Sequence, residues 1–391
     1  MTGEPKVQHA TAEQQALRDS ASRFLAQQCD FARHRRRQQQ HPAEFDRALW
    51  TRMGELGWLG VMLAEEVGGL GQTPQAALAL VEAMGGQFVS EPYAPALAAA
   101  QLLQTLGKPG QQARWLPALC TGAALVLPAH AEPGARARLT CVQTRAVRDG
   151  EGHRLDGRKN AVPWGQAADA WLVSARTAGP VDDPAGISLF IVPRDAAGLR
   201  LELREGIAGE PLADLVLDGV RMPQDALLGS PGQAHAALEA AHAFLLAAAC
   251  AEAVGTLQAV LQATRDYACT RQQFGAPLAR FQVIAHRLVD MFTQVQLARS
   301  MAQLAAQLLD TPGDAATQSL RLSACKAQVS VACHFVGEQA VQIHGGIGMT
   351  DELALSHQVR RLLAIERCLG DRFHHLGVLS ERVMQGEGLY A

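Results

Sequence analysis

Three long helical runs toward the C-terminus limit what this chain can fold into more than any other feature. Ala236–Thr270 reads as one helix interrupted only by Gly255, Phe281–Leu309 as a second and Asp314–Ile343 as a third, with Leu353–Arg367 opening a fourth. In the second run, Phe281, Ile284, Leu288, Met291 and Val295 recur at the spacing of one buried helix face. Long helices joined by short loops are antiparallel neighbours, so these runs predict a four-helix bundle. Helices of that length also present faces that need a partner, which points to an oligomer. The most apolar stretch, Ala243–Ala251, is alanine-rich and too short to span a bilayer.

Upstream the pattern differs. Thr11–Gln28 reads as a helix with Leu17, Ala21, Phe24 and Leu25 on one face, and Glu44–Leu56 as another that stops at Gly57. The Gly68-Gly69-Leu70-Gly71 cluster follows no strand, so it reads as a loop between helices rather than a phosphate cradle. Helical patterning resumes over Thr73–Gly85, Pro95–Leu106 and Gln111–Leu119. From Gly122 onward the runs shorten to strand length: Ala124–Leu127, Cys141–Val147, Ala170–Ala175, Ser188–Val192, Leu199–Leu203 and Asp214–Val220. Turn signals such as Glu132-Pro133-Gly134, Asp149-Gly150 and Asp156-Gly157 separate them. The expectation is an α+β chain: an N-terminal helical domain over 1–121, a middle β-barrel-like domain over 122–231 and a C-terminal four-helix bundle over 232–391.

Composition excludes several function classes. With 48% hydrophobic and 19% charged residues the chain is globular rather than disordered. A net charge of −3 provides no basic field for nucleic acid or a membrane surface, and the local run His34–Arg37 reads as a solvated helix face. The eight cysteines form no C-x-x-C pair and Met1–Ala10 is polar, so reduced thiols, a cytoplasmic location and no metal site are expected.

Three motifs make the pattern specific. One is Arg271-Gln272-Gln273-Phe274-Gly275, followed by Phe281-Gln282 and His286-Arg287-Leu288. Another is Gln342-Ile343-His344-Gly345-Gly346-Ile347-Gly348. The third is Asp218-Gly219-Val220-Arg221-Met222-Pro223. In this order and on these elements they resemble the acyl-CoA dehydrogenase family, from about Thr11 to the end of the chain. The resemblance implies that family's fold, an FAD cofactor, and α,β-desaturation of an acyl-CoA thioester, with an electron-transfer flavoprotein as acceptor. It also implies a dimer as the smallest complete unit, because the arginine and phenylalanine matching Arg271 and Phe274 reach the flavin of a neighbouring subunit. Gln342, Gly345 and Gly346 would receive the nucleotide end. The chemistry agrees: a pyrophosphate needs a fixed cation, and backbone without a Cβ can approach it closely.

The same resemblance exposes departures. Counting from Arg360-Arg361 puts Leu369 where most members carry the glutamate base, and counting back from Gly255 puts Leu245 at the other known base position. Neither can accept a proton. On the flavin side, Ala131 replaces a hydroxyl residue, Ala161 a tryptophan and Pro163 a threonine, and proline has no N–H to donate. Asp371, Glu366 and Glu252 are the nearby carboxylates, each with a plain structural role open to it: a helix cap, a surface residue and an exposed or ion-paired helix residue. The Gly370-Asp371 and His374-His375 pattern resembles a divergent subgroup that includes the small subunit of pimeloyl-CoA dehydrogenase and steroid side-chain dehydrogenases, in which two related chains assemble. Three readings follow: a subunit whose base comes from a sister chain, an autonomous enzyme using Asp371, or a structural subunit without flavin.

Overall fold

The computed structural model describes residues 12–40, 43–310 and 314–386; the segment Met1–Ala10 lies outside them. Six helices come first: α1 (Ala12–Gln28), α2 (Phe31–Gln40), α3 (Arg47–Glu55), α4 (Pro74–Gly85), α5 (Tyr93–Leu106) and α6 (Pro109–Cys120). Eight strands follow: β1 (Val126–Ala129), β2 (Arg145–Asp149), β3 (Gly152–Pro163), β4 (Ala170–Arg176), β5 (Ile187–Pro193), β6 (Leu199–Glu205), β7 (Pro211–Met222) and β8 (Leu227–Leu228). The chain ends in α7 (His235–Thr270), the small strands β9 (Gln272–Gln273) and β10 (Ala276–Pro277), and helices α8 (Gln282–Asp310), α9 (Ala315–His344), α10 (Ala354–Arg367) and α11 (Arg372–Met384). These elements divide into two compact units, residues 1–35, 74–89 and 246–391 in one and 36–73 and 90–245 in the other.

The first unit is helical. Its core joins Ala253, Leu257 and Val260 of α7, Met291 and Val295 of α8, Val329 and Val336 of α9, and Leu362 and Ile365 of α10. The expected four-helix bundle is present but incomplete as a description, because α11 adds a fifth helix that packs on α9. Its start is set by Asp371, whose carboxylate accepts the His374 N–H, just as Asp314 caps α9 through the Thr317 N–H. Gly255 does not interrupt α7. A Cβ there would lie 2.0 Å from the Glu82 carbonyl oxygen, and one on Gly85 would lie 2.1 Å from the Glu252 carbonyl oxygen. The glycines are therefore where α4 and α7 cross with their backbones in contact, and Thr256 Oγ1 donates across the crossing to the Gly85 carbonyl at 2.9 Å. Helix α7 is long and apolar enough to cross a membrane, but most of that stretch is buried inside the protein.

The second unit is built on the eight-stranded sheet, in the order β6-β7-β3-β2-β4-β5-β8, with β1 pairing in parallel to β4. Strands β4 (AWLVSAR) and β5 (ISLFIVP) are buried nearly throughout, which is why they read as continuous apolar runs. Edge strand β6 (LRLELRE) alternates and is largely accessible. Two expectations need correction here. The run Cys141–Val147 is a strand only from Arg145, because the Gln143 and Thr144 N–H groups are taken by the Glu132 carboxylate (2.6 and 3.0 Å). Periodicity did not show the long strand β3, since its sequence GHRLDGRKNAVP is mostly polar; the resemblance pointed only to its end at Lys159–Pro163.

Candidate cofactor site

Sequence places Arg271, Phe274, Gln342, Gly345 and Gly346 at a cofactor, and all five lie in the helical unit. At the end of α7 the chain forms a two-stranded hairpin, β9 against β10, closed by a bond from the Leu278 N–H to the Arg271 carbonyl (2.9 Å). Phe274 sits at its tip with φ 54° and 89% of its surface exposed, and Gly275 follows with φ 80°. The Phe274 ring touches only the edge of Phe281, 6.1 Å away between centroids, so most of an aromatic face held in the left-handed region is left to solvent. The Arg271 side chain is exposed and makes no ion pair among the described residues.

The glycine turn is organised from α7. Helix α9 ends where Gly345 adopts φ 68°, a conformation that favours glycine. Nothing lies within 4 Å of a Cβ built on Gly345 or Gly346, so their backbone is open to a ligand. Gln342, one turn earlier, is exposed. Tyr267 stacks on His344 with ring centroids 4.3 Å apart and donates to the His344 carbonyl at 3.4 Å. This contact joins the root of the hairpin to the glycine turn, and sequence reading did not find it. His344 is buried, and burial holds its pKa below the usual value.

Leu369 is in the helical unit too. It lies in the turn between α10 and α11 with φ 57° and packs against the bundle core. The carboxylates nearest in sequence are all engaged. Asp371 caps α11. Glu366 lies 3.6 Å from His334 Nδ1. Glu252 receives Arg361 through both Nε and Nη2, the latter at 2.8 Å. The other expected base position, Leu245, is a half-buried apolar residue of α7 in the second unit.

In the sheet unit Ala131 and Ala161–Pro163, the positions expected to face the ring, lie beside a buried polar cluster. Lys159 is fully buried and its ammonium donates to Glu132 Oε1 (2.6 Å), Ser174 Oγ (2.9 Å) and the His130 carbonyl (3.3 Å). Ser174 Oγ also lies 2.9 Å from His130 Nδ1, which extends the cluster to the imidazole. Burial pulls the Lys159 pKa down to about 8 despite Glu132 beside it. Burial, with the Lys159 and His242 charges, pulls His130 down to about 3. For Glu132, burial acts upward, but Lys159 and the hydrogen bonds from the 143–144 segment outweigh it and hold the carboxyl below its ordinary value. The backbone donors here are already used: Asn160 N–H on the Ala131 carbonyl (2.8 Å) and Ala161 N–H on Asp214 Oδ1 (2.8 Å). Ala161 itself has φ 53°, in a bulge of β3. Trp164, three residues late for the expected ring-facing position, is buried and donates to the Ser90 carbonyl.

Comparison with known proteins settles the family. The profile of the acyl-CoA dehydrogenase N-terminal domain matches residues 11–123, that of the middle domain residues 128–220, and that of the C-terminal domain residues 235–384. The Probable acyl-CoA dehydrogenase YngJ of Bacillus subtilis is 32% identical over 90% of this chain and 92% of its own. The Caffeyl-CoA reductase-Etf complex subunit CarC of Acetobacterium woodii is 28% identical over 81% and 84%. The solved structure of the Tcur3481-Tcur3483 steroid ACAD is 28% identical and covers 96% of this chain and 98% of that one, with a TM-score of 0.85. The fold thus defines an oxidoreductase of the kind that acts on CH–CH bonds. The chain belongs to the acyl-CoA dehydrogenase family, whose members are FAD-dependent flavoproteins.

The residues present fit that cofactor at one end. An exposed arginine without an internal partner and an open glycine turn suit a dinucleotide's pyrophosphate and adenine side. The ring-facing segment does not fit in the same way. Ala131 and Ala161 have no polar side chain, Pro163 has no N–H, and the Asn160 and Ala161 N–H groups are committed within the fold.

Proposed function

We propose that this chain is a flavoprotein subunit of an acyl-CoA-desaturating enzyme in which a related sister chain supplies the catalytic carboxylate. One observation carries the reading: Leu369, which the count along the motif puts at the base position, is an apolar residue packed against the bundle core, while Arg271 is exposed and the Gly345-Gly346 turn is open. Bound FAD supplies the acceptor for the β-hydrogen and its two electrons. Arg271 neutralises pyrophosphate charge, Gln342 and the glycine turn present polar groups to the nucleotide, and Phe274 covers the cofactor of the adjoining subunit. Leu369 offers an apolar surface and, like Leu245, moves no proton. The sister chain's carboxylate takes the α-proton, and the electrons pass to an electron-transfer flavoprotein. Relatives named as a two-protein steroid ACAD and as a subunit of an Etf complex support both partnerships.

The test is purification of the chain alone and with candidate sister chains, followed by the FAD-to-chain ratio and oxidation of an acyl-CoA panel with an artificial electron acceptor. Activity should need the pair. Ordinary turnover by this chain alone would end the proposal. Asp371 is a weaker candidate for an internal base because its carboxylate already caps α11.

A further inference from the structure

Lys326 lies within α9 and is fully buried, with no carboxylate in ion-pair range among the described residues. Its three ammonium hydrogens go to Ser330 Oγ (3.1 Å), the Glu366 carbonyl (3.0 Å) and the Gly370 carbonyl (3.2 Å). That uses every donor the group has. The Glu366 carbonyl belongs to the last turn of α10, the negative end of that helix. The Gly370 carbonyl immediately precedes Asp371, the cap of α11. One ammonium therefore closes the loop Arg367–Leu369 from beneath and joins three helices.

The closed loop is a strained one. Leu369 has φ 57° and Gly370 φ 102°. A leucine in the left-handed region persists only where its surroundings dictate the backbone. A buried charge held by neutral acceptors is also a poor source of stability, since an apolar side chain of similar length fills the space without desolvating a cation. Both oddities have one explanation if the geometry of the turn is what the cation secures.

We propose that Lys326 is a positioning residue, whose ammonium holds the turn at 366–370 and so fixes where residue 369 places its side chain, whatever that side chain is. The functional importance of that turn rests on the reading above, in which position 369 faces the bound thioester; the clamp itself does not.

The experiment is hydrogen exchange by mass spectrometry on the full-length protein as purified, comparing wild type, Lys326→Met and Ser330→Ala. Amides at 366–371 should exchange about tenfold faster in Lys326→Met, and by a smaller factor in Ser330→Ala, while amides of α8 change by less than about threefold. Ser330→Ala keeps the cation and removes one acceptor, so it carries the test if Lys326→Met does not fold. An unchanged turn, or equal loosening throughout the bundle, overturns the proposal. A second readout separates a cation at the turn from a space-filling side chain. The pH midpoint for iodoacetamide alkylation of the exposed Cys368, followed on its own peptide, should rise in Lys326→Met and stay in Ser330→Ala. A midpoint unmoved in Lys326→Met also counts against the clamp. Butanoyl-CoA titration of the FAD-loaded pair is the arm for the functional reading: if wild type fails to bind while the turn loosens as expected, the subunit assignment fails and the clamp stands.

Discussion

Replacing Gly255 by alanine sets two effects of opposite sign against each other. In the middle of a helix, alanine is favoured over glycine by about 1 kcal/mol. At this position, however, the new Cβ would sit 2.0 Å from the Glu82 carbonyl oxygen and 2.8 Å from the Gly86 nitrogen, both backbone atoms. A carbon-to-oxygen contact needs about 3.3 Å, so α4 must withdraw by roughly 1.3 Å. That shift breaks the 2.9 Å bond from Thr256 to Gly85, worth about 1 kcal/mol, and adds overpacking of about 1–3 kcal/mol. The net is a loss of about 1–3 kcal/mol, or several degrees in Tm. Gly337 provides the control. It too lies inside a long helix, but its Cβ would meet only Val359 Cγ1 at 3.4 Å, so Gly337→Ala should be neutral or stabilising by up to about 1 kcal/mol. Urea and thermal unfolding of both variants decide the matter. If Gly255→Ala is as stable as Gly337→Ala, the close crossing of α4 and α7 is not what holds glycine there.

Other perturbations follow from the same geometry. Lys159→Met leaves Glu132 buried without its partner and should destabilise by about 3–5 kcal/mol in urea unfolding, with much of that regained when Glu132→Gln is added; a loss under about 1 kcal/mol would contradict the buried pair. Acid should weaken the fold already in the histidine range. His130, His153, His344 and His357 all have depressed pKa values from burial, so below about pH 6.5 the unfolded chain takes up protons that the native chain refuses. With a native value of about 3, His130 alone removes about 1.4 kcal/mol by pH 5.5, and equal urea midpoints at pH 7.5 and 5.5 would refute this. Asp371→Asn keeps a good helix cap and removes a base, so Tm and the activity of the assembled enzyme should both stay unchanged; a hundredfold or greater fall in turnover, on the order expected for losing a general base, would restore Asp371 as catalyst.

Long apolar periods made α7, α8, α9 and α10 legible in the sequence, with ends read to within a residue or two. Elements held by polar contacts were not. Helix α2, FARHRRRQQQ, has no apolar stripe, and its run His34–Arg37 reads only as a solvated helix face. Its Phe31 and His34 nonetheless pack with Phe88 and His357 at ring separations of 5.0–5.4 Å, and Arg37 reaches Glu91 at 3.0 Å. Strand β3 was hidden for the same reason, since Lys159 looks like a surface residue until Glu132 is placed beside it. For the site, counting along the motifs is what proposes Leu369 as an emptied base position and residues 131, 161 and 163 as altered ring-side positions. It could not find Tyr267 against His344, because the two are far apart in sequence. Lys326 was in plain view as the only charge between Cys325 and Cys333, a signal that went unused.

The bonds that hold the turn after α10 run to main-chain carbonyls of Glu366 and Gly370, and none involves the side chain at 369. The clamp therefore asks of residue 369 only its backbone, and a side chain can be exchanged there without costing the turn a single one of these hydrogen bonds.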